Sequence, residues 1–211
     1  MNDIVDRINV VHRELGAKNI PAGEGKVVLL RRSYDTTIDD VWDACTDPER
    51  LKRWFLPVTG ELRVGGTYQL EGNAWGEILR CEPPSLLKVT WILGENTSEK
   101  DISEVEIRLT TGGDGAAVLE LEHAAVVDPD FWGRFGPGAV GVGWDTGLYG
   151  LAEYLGGEDF EENAWQHTPE AKDFLTRSSQ AWGEAHLASG ASPDVVAAAV
   201  EATTNFYAPT S

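Results

Sequence analysis

Two strings decide the fold: Glu104-Val-Glu-Ile-Arg-Leu109 and Val118-Leu-Glu-Leu-Glu-His123, joined through Gly112-Gly-Asp-Gly115. Val105, Ile107 and Leu109 alternate with Glu104, Glu106 and Arg108, and Leu119, Leu121 and His123 alternate with Val118, Glu120 and Glu122. A period of two places each set on one face of a strand. The pattern predicts strands over 101–111 and 116–125, paired as a hairpin whose loop glycines supply positive φ. Upstream, turn residues recur every eight to twelve positions, as in an antiparallel meander. Strands are predicted over 67–71, 74–81 and 86–93, with Pro83-Pro84 as a corner.

Before this meander, the branched apolar run 26–34 reads as the first strand. Two short helices follow. Thr37 with Asp40 resembles a capping box, and Ile38, Val41, Trp42 and Cys45 mark its buried face. Asp47-Pro48 repeats the start signal, with Leu51, Trp54 and Phe55 on the apolar side. Ile4, Ile8, Val11 and Leu15 fall at intervals of three or four and predict a helix over 3–15, ahead of a Gly-rich break at 21–25.

Downstream, Phe131, Trp132 and Phe135 occupy a glycine-flanked connector, expected to be a mobile loop. Val140, Trp144, Leu148, Leu151 and Leu155 then mark one stripe of a long helix. Glycines 141, 143, 147 and 150 each cost about 1 kcal/mol there relative to alanine, so packing against the sheet is expected to hold it. Thr168-Pro169 and Ser192-Pro193 start two more helices, over 168–188 and 192–207. The expected organisation is an N-terminal helical extension over 1–20, a main domain over 21–157, and a C-terminal helical appendage over 158–211, packed on the domain or at a homodimer contact.

The chain has 211 residues, 17 Lys and Arg against 35 Asp and Glu, and a net charge of -18. Such an acidic surface repels phosphate backbones and anionic lipid, so neither nucleic acid nor membrane is an expected partner. No run approaches the roughly 18 apolar residues that span a bilayer, and residues 1–13 lack a signal-peptide core, which predicts a cytoplasmic protein. An acceptor triplet, Asn96-Thr97-Ser98, means little without secretion. Cys45 and Cys81 form no C-x-x-C pair and read as buried thiols. His12, His123, His167 and His186 have no ligand spacing, so no metal is expected. Nucleophile elbow, phosphate-loop and dinucleotide motifs are missing, and no cofactor is expected.

This order of elements is α+β, with a curved antiparallel sheet burying its apolar face against the long helix. A further likeness rests on Asp39-Asp-Val-Trp-Asp-Ala-Cys-Thr-Asp-Pro-Glu-Arg-Leu51 with Trp54-Phe55, Gly65-Gly66, and Gly76-Glu-Ile-Leu-Arg-Cys-Glu-Pro-Pro-Ser-Leu-Leu87 ending in Thr90-Trp91. These segments resemble the START-like helix-grip superfamily, in the branch of homologues of the activator of heat-shock-protein-90 ATPase. Gly143-Trp144 with Leu148 and Leu151 resembles the grip helix. The resemblance covers 26–156 and implies a curved sheet wrapped around a long C-terminal helix, two short helices after the first strand, and here extra C-terminal helices. Members bind lipids, hormones or polyketides, and some catalyse cyclisation or hydration. The Trp-His-Trp signature of the eukaryotic activators' amino-terminal module has no counterpart in this sequence, so the chaperone partner that the resemblance implies is a weaker expectation.

A sheet closed by one helix tends to enclose an apolar small-molecule cavity. Its expected lining is Trp75, Trp91, Leu119, Leu121, His123, Trp144 and Leu148, with Phe131, Trp132 and Phe135 as a gate. The leading expectation is binding of an apolar or aromatic small molecule. The alternatives are a cyclase- or hydratase-type enzyme in which His123 and Asp145 act as acid and base, and a chaperone partner. His123 and the tryptophans also suit plain core packing.

Overall fold

The computed structural model describes residues 4–94, 98 and 102–209. Asp3, Asp101 and the Asn96-Thr97 pair of the acceptor triplet lie outside them. Among the described residues, eight antiparallel strands form one sheet in the order β1-β2-β8-β7-β6-β5-β4-β3. These are β1 (His12–Ile20), β2 (Gly23–Tyr34), β3 (Val58–Gly60), β4 (Thr67–Leu70), β5 (Trp75–Glu82), β6 (Leu86–Trp91), β7 (Ser103–Thr111) and β8 (Ala117–Ala125). The helices are α1 (Ile4–Asn9), α2 (Ile38–Thr46), α3 (Pro48–Leu51), α4 (Pro129–Phe135), α5 (Gly138–Leu155), α6 (Glu162–Trp165), α7 (Pro169–Ala188) and α8 (Pro193–Tyr207). This is the helix-grip arrangement, with α5 laid across the inner face of the curved sheet.

Register converts the period of two into rows that cross the sheet. Leu30, Leu121, Ile107, Leu87 and Cys81 are successive neighbours across five strands, and Val28, His123, Val105, Val89 and Ile78 form the next row. On β6 the two rows are two residues apart, but on β5 they are three apart, because the register shifts between Ile78 and Arg80. An extra residue in one strand re-aims the side chains beyond it, and here it turns Cys81 to the inner face. Helices α2 and α3 close one end of the sheet. Thr37 Oγ1 accepts from the Asp40 amide at 3.2 Å, and Asp47 Oδ1 accepts from Glu49 and Arg50 at 2.8 and 3.1 Å, satisfying N-terminal donors that would otherwise be orphaned.

Three expectations are corrected. The helix over 3–15 stops at Asn9, and His12–Ile20 is an edge strand in continuous register with β2, from His12 opposite Arg31 to Ile20 opposite Gly23. Pairing with a ready neighbour outweighs a short helical spacing. The first 20 residues therefore contribute a strand to the main sheet. The connector carrying Phe131, Trp132 and Phe135 is helical: Asp128 Oδ1 caps α4, accepting from Asp130 and Phe131 at 3.0 Å each, ahead of Pro129. Finally, two of the α5 glycines serve neighbours other than the sheet. A Cβ at Gly141 would fall inside the Trp182 indole of α7, and one at Gly150 would lie 2.5 Å from the Phe160 ring and 2.9 Å from the Trp54 carbonyl oxygen.

Helix α7 packs behind α5 and touches β1 and α1, while α8 packs on α7 and α4. Trp182 and Phe174 are fully buried. The Tyr149, Phe160, Trp165 and Phe174 rings cluster with centroids 5.0 to 5.5 Å apart. Among the described residues, no helix is long and apolar enough to cross a membrane.

Candidate functional site

Between the inner face of the sheet and α5 lies a cavity of about 180 Å³. The strands supply Tyr68, Trp91, Leu119 and Leu121 to its wall, α5 supplies Trp144, Leu148 and Leu151, and the α2–α3 end supplies Cys45, Trp54 and Phe55. Two aromatic contacts frame it: Trp91 and Trp144 stand 5.0 Å apart, and Phe55 stacks on Trp144 at 6.5 Å.

The hydroxyls of this wall and the Trp54 and Trp144 indole N–H groups are spent on the protein itself. Trp54 Nε1 donates to the Ala44 carbonyl at 2.9 Å, Tyr68 Oη to the Thr90 carbonyl at 2.7 Å, and Thr46 Oγ1 to the Trp42 carbonyl at 2.8 Å. Trp144 Nε1 donates to His123 Nδ1 at 3.0 Å. Burial pushes the Cys45 thiol up to about 12 and raises the Tyr68 phenol too, so neither ionises near neutrality. The cavity thus presents carbon, thiol and ring faces.

His123 lies behind Trp144 and does not line the cavity. Ser103 Oγ donates to the Trp91 carbonyl at 2.7 Å, so the 2.8 Å contact between His123 Nε2 and Ser103 Oγ carries a proton on Nε2. Nδ1 is then the acceptor for Trp144, and the neutral tautomer satisfies every link in a chain from Trp144 through His123 and Ser103 to Trp91. Burial lowers the imidazole to about 4, which keeps it neutral. This arrangement orients two cavity tryptophans.

Asp145 faces the opposite side of α5. It is 1% exposed and accepts from Arg13 Nε and Nη2 at 3.0 Å each, from Trp182 Nε1 at 3.0 Å and from Ser178 Oγ. An acid–base pair of His123 and Asp145 across the cavity is therefore corrected: Trp144 screens the first and the body of the helix screens the second.

Of the other expected residues, Trp91, Leu119, Leu121, Trp144 and Leu148 meet at the cavity. Trp75 does not, and its indole donates to the Gly94 carbonyl at 3.1 Å. Phe131, Trp132 and Phe135 do not either. Trp132 meets His186 edge-on at 5.9 Å and Phe135 meets Phe206 at 5.9 Å, so α4 anchors the C-terminal helices and does not gate the cavity. Sequence reading missed Cys45, Trp54, Phe55 and Cys81 as lining, and Cys81, expected to be buried, is exposed. Leu51, Trp54 and Phe55 share one apolar side in the sequence, which is the available signal. Among the described residues, no group of three His, Cys, Asp or Glu side chains is placed to hold a metal ion.

The geometry has known relatives. The crystal structure of CalU16 from Micromonospora echinospora is 38% identical, with a TM-score of 0.66 over 83% of this chain and 97% of that one. Its solution structure gives 0.68 over 86% and 97%. DynU16, from the dynemicin biosynthetic locus, shares the fold at 24% identity and a TM-score of 0.52 over 62% of this chain and 47% of that one. No curated protein matches this sequence. The family model described as activator of Hsp90 ATPase homolog 1-like protein matches residues 35–156, from the turn before α2 to the end of α5. The chain belongs to that family.

Proposed function

We propose that the protein binds an apolar, ring-bearing small molecule in the cavity beneath α5. The observation that carries this reading is an open space whose walls are carbon and aromatic faces, with the hydroxyls and the Trp54 and Trp144 indole N–H groups already bonded inward. A cavity of about 150 Å³ lined by aliphatic and aromatic side chains stays dry and takes benzene, so about 180 Å³ suits one or two rings. Binding is favoured over turnover, because His123 and Asp145 do not reach the space.

Native mass spectrometry of the full chain with naphthalene and 2-acetylnaphthalene tests this. One bound molecule per chain is expected, with loss of that complex in Leu148→Trp, whose indole fills much of the cavity. Failure of both probes to bind, or equal binding to the filled variant, overturns the reading. Conversion of a polyketide-like probe would instead favour the cyclase or hydratase reading, and stimulation of a chaperone ATPase a surface role.

A further inference from the structure

Strand β1 ends the sheet. It runs in unbroken register with β2 from His12 to Ile20, and among the described residues no strand pairs with its other side. Backbone groups alternate in direction along an antiparallel strand, so the ladder fixes which residues of β1 point outward. The Gly112 amide donates to the Ala116 carbonyl at 2.8 Å, which makes the even-numbered residues of β7 and β8 the hydrogen-bonded set. The odd residues of β8 then bond the even residues of β2, and the odd residues of β2 bond the even residues of β1. The N–H and C=O groups of Arg13, Leu15, Ala17 and Asn19 therefore point away from the sheet. Among the described residues, no hydrogen bond within the chain reaches any of them. Glu14, Gly16, Ala17 and Asn19 are exposed. An open row of this length is a template for another strand.

The strand that fits it is a second β1. In an antiparallel pair of identical strands, one register alone satisfies the whole outward set: Arg13 opposite Asn19 and Leu15 opposite Ala17, with Gly16 on the two-fold axis. A slip of two residues leaves Arg13 or Asn19 outside the ladder, and a slip of one sets outward groups against inward ones. The same register places Glu14 of each copy directly opposite Lys18 of the other, on the outer face of the sheet. Opposite charges so placed attract across strands. Glu14 is exposed, and its ionic neighbour within the chain is His12 at 3.6 Å. Lys18 holds Glu122 at 2.6 Å with its side chain 36% exposed, which leaves room for a second carboxylate. Gly16 puts no side chain between the strands at the axis. The net charge of -18 opposes self-association in general, but β1 carries Arg13 and Lys18 against Glu14 and brings no excess of acid to the contact.

We propose that the edge of β1 is an interaction surface for a second copy of this chain, paired antiparallel about Gly16 so that two sheets continue as one. The contact is isologous, each copy giving the other the same row of groups. It lies in the N-terminal segment and leaves the C-terminal helices packed on their own domain.

Sedimentation equilibrium of the full chain from about 1 µM to about 1 mM tests this, a span that covers contacts of modest area. A monomer–dimer equilibrium is expected. Ala17→Pro removes an outward N–H and leaves the β1–β2 ladder intact, so the dimer should disappear across the whole range. Glu14→Lys and Lys18→Glu each set like charges opposite one another at both ends of the contact, and each alone should weaken the dimer about ten-fold. Mixed one to one, the two variants restore both charge pairs between unlike chains and should form a heterodimer close to wild-type affinity. This complementation between chains remains decisive if Ala17→Pro fails to fold, because no effect inside one chain produces it. A wild-type chain that stays monomeric, a dimer that survives Ala17→Pro, or a mixture no tighter than its components overturns the proposal.

Discussion

Trp144 and Asp145 are adjacent in sequence, yet they face the two extremes of the molecule. On the Trp144 side, α5 looks onto open space walled by carbon, and its polar atoms are tied back into the sheet. On the Asp145 side, the same helix meets Arg13, Ser178 and Trp182 with no room for a methyl group at Gly141. One helix thus serves as the loose wall of a cavity and as the tightest polar junction of the fold. The rigidity that keeps a cavity open against collapse can come from the face that does not line it.

Removing the centre of the tight face should have the largest effect. Asp145→Ala leaves the Arg13 guanidinium, 7% exposed, buried without its counter-charge, which typically costs about 3–5 kcal/mol. By calorimetry the melting temperature should drop by about 10 °C, while naphthalene binding by the folded fraction is retained. A loss confined to binding would break the contrast between the two faces.

Acid should act through His123 with a slightly smaller effect. Its folded value of about 4 lies below the ordinary value near 6.5. As pH falls, the unfolded chain therefore takes up the proton first, and stability present at pH 7 is lost between about 6.5 and 4. The loss attributable to this residue approaches about 3 kcal/mol. Denaturant unfolding of wild type and His123→Gln across that range measures it, and an equal pH slope in both would discard the assignment.

Two glycines one helical face apart should respond with opposite signs. Gly141→Ala drives a methyl into the Trp182 indole and should destabilise by about 1–3 kcal/mol. At Gly147, which lines the cavity, the nearest atom to an added Cβ is in the Phe55 ring at 3.9 Å. Gly147→Ala should therefore stabilise by up to about 1 kcal/mol through helix propensity, with weaker ligand uptake as the space shrinks. Chemical denaturation of both variants sharpens the comparison.

The inner face was legible where burial on one side enforces alternation. Trp91, Leu119 and Leu121 follow from parity on β6 and β8, and the α5 stripe yields Trp144 and Leu148. On β5 parity fails, because the bulge after Ile78 changes which residues face inward. His123 has the parity of a lining residue and is nonetheless covered, since the size of Trp144 decides what lies in front of it. The strand β1 was hidden because its spacing mimics a helix, although its partner β2 follows directly after the two-residue turn at 21–22. The start of α4 was readable: Asp128-Pro129 repeats the cap-and-proline pattern seen at Asp47-Pro48 and Thr168-Pro169. Aromatic content and flanking glycines obscured it. The Arg13–Asp145 junction involves residues 132 positions apart, and no periodicity reports such a pairing.

That junction also separates inheritance from autonomy. The family match begins after β2 and ends with α5, yet the partners of Asp145 come from outside it on both sides. A chain trimmed to the inherited segment would lose every one of these partners and expose the apolar back of the helix to water. The segment that the family model describes is consequently smaller than the unit that holds its shape here.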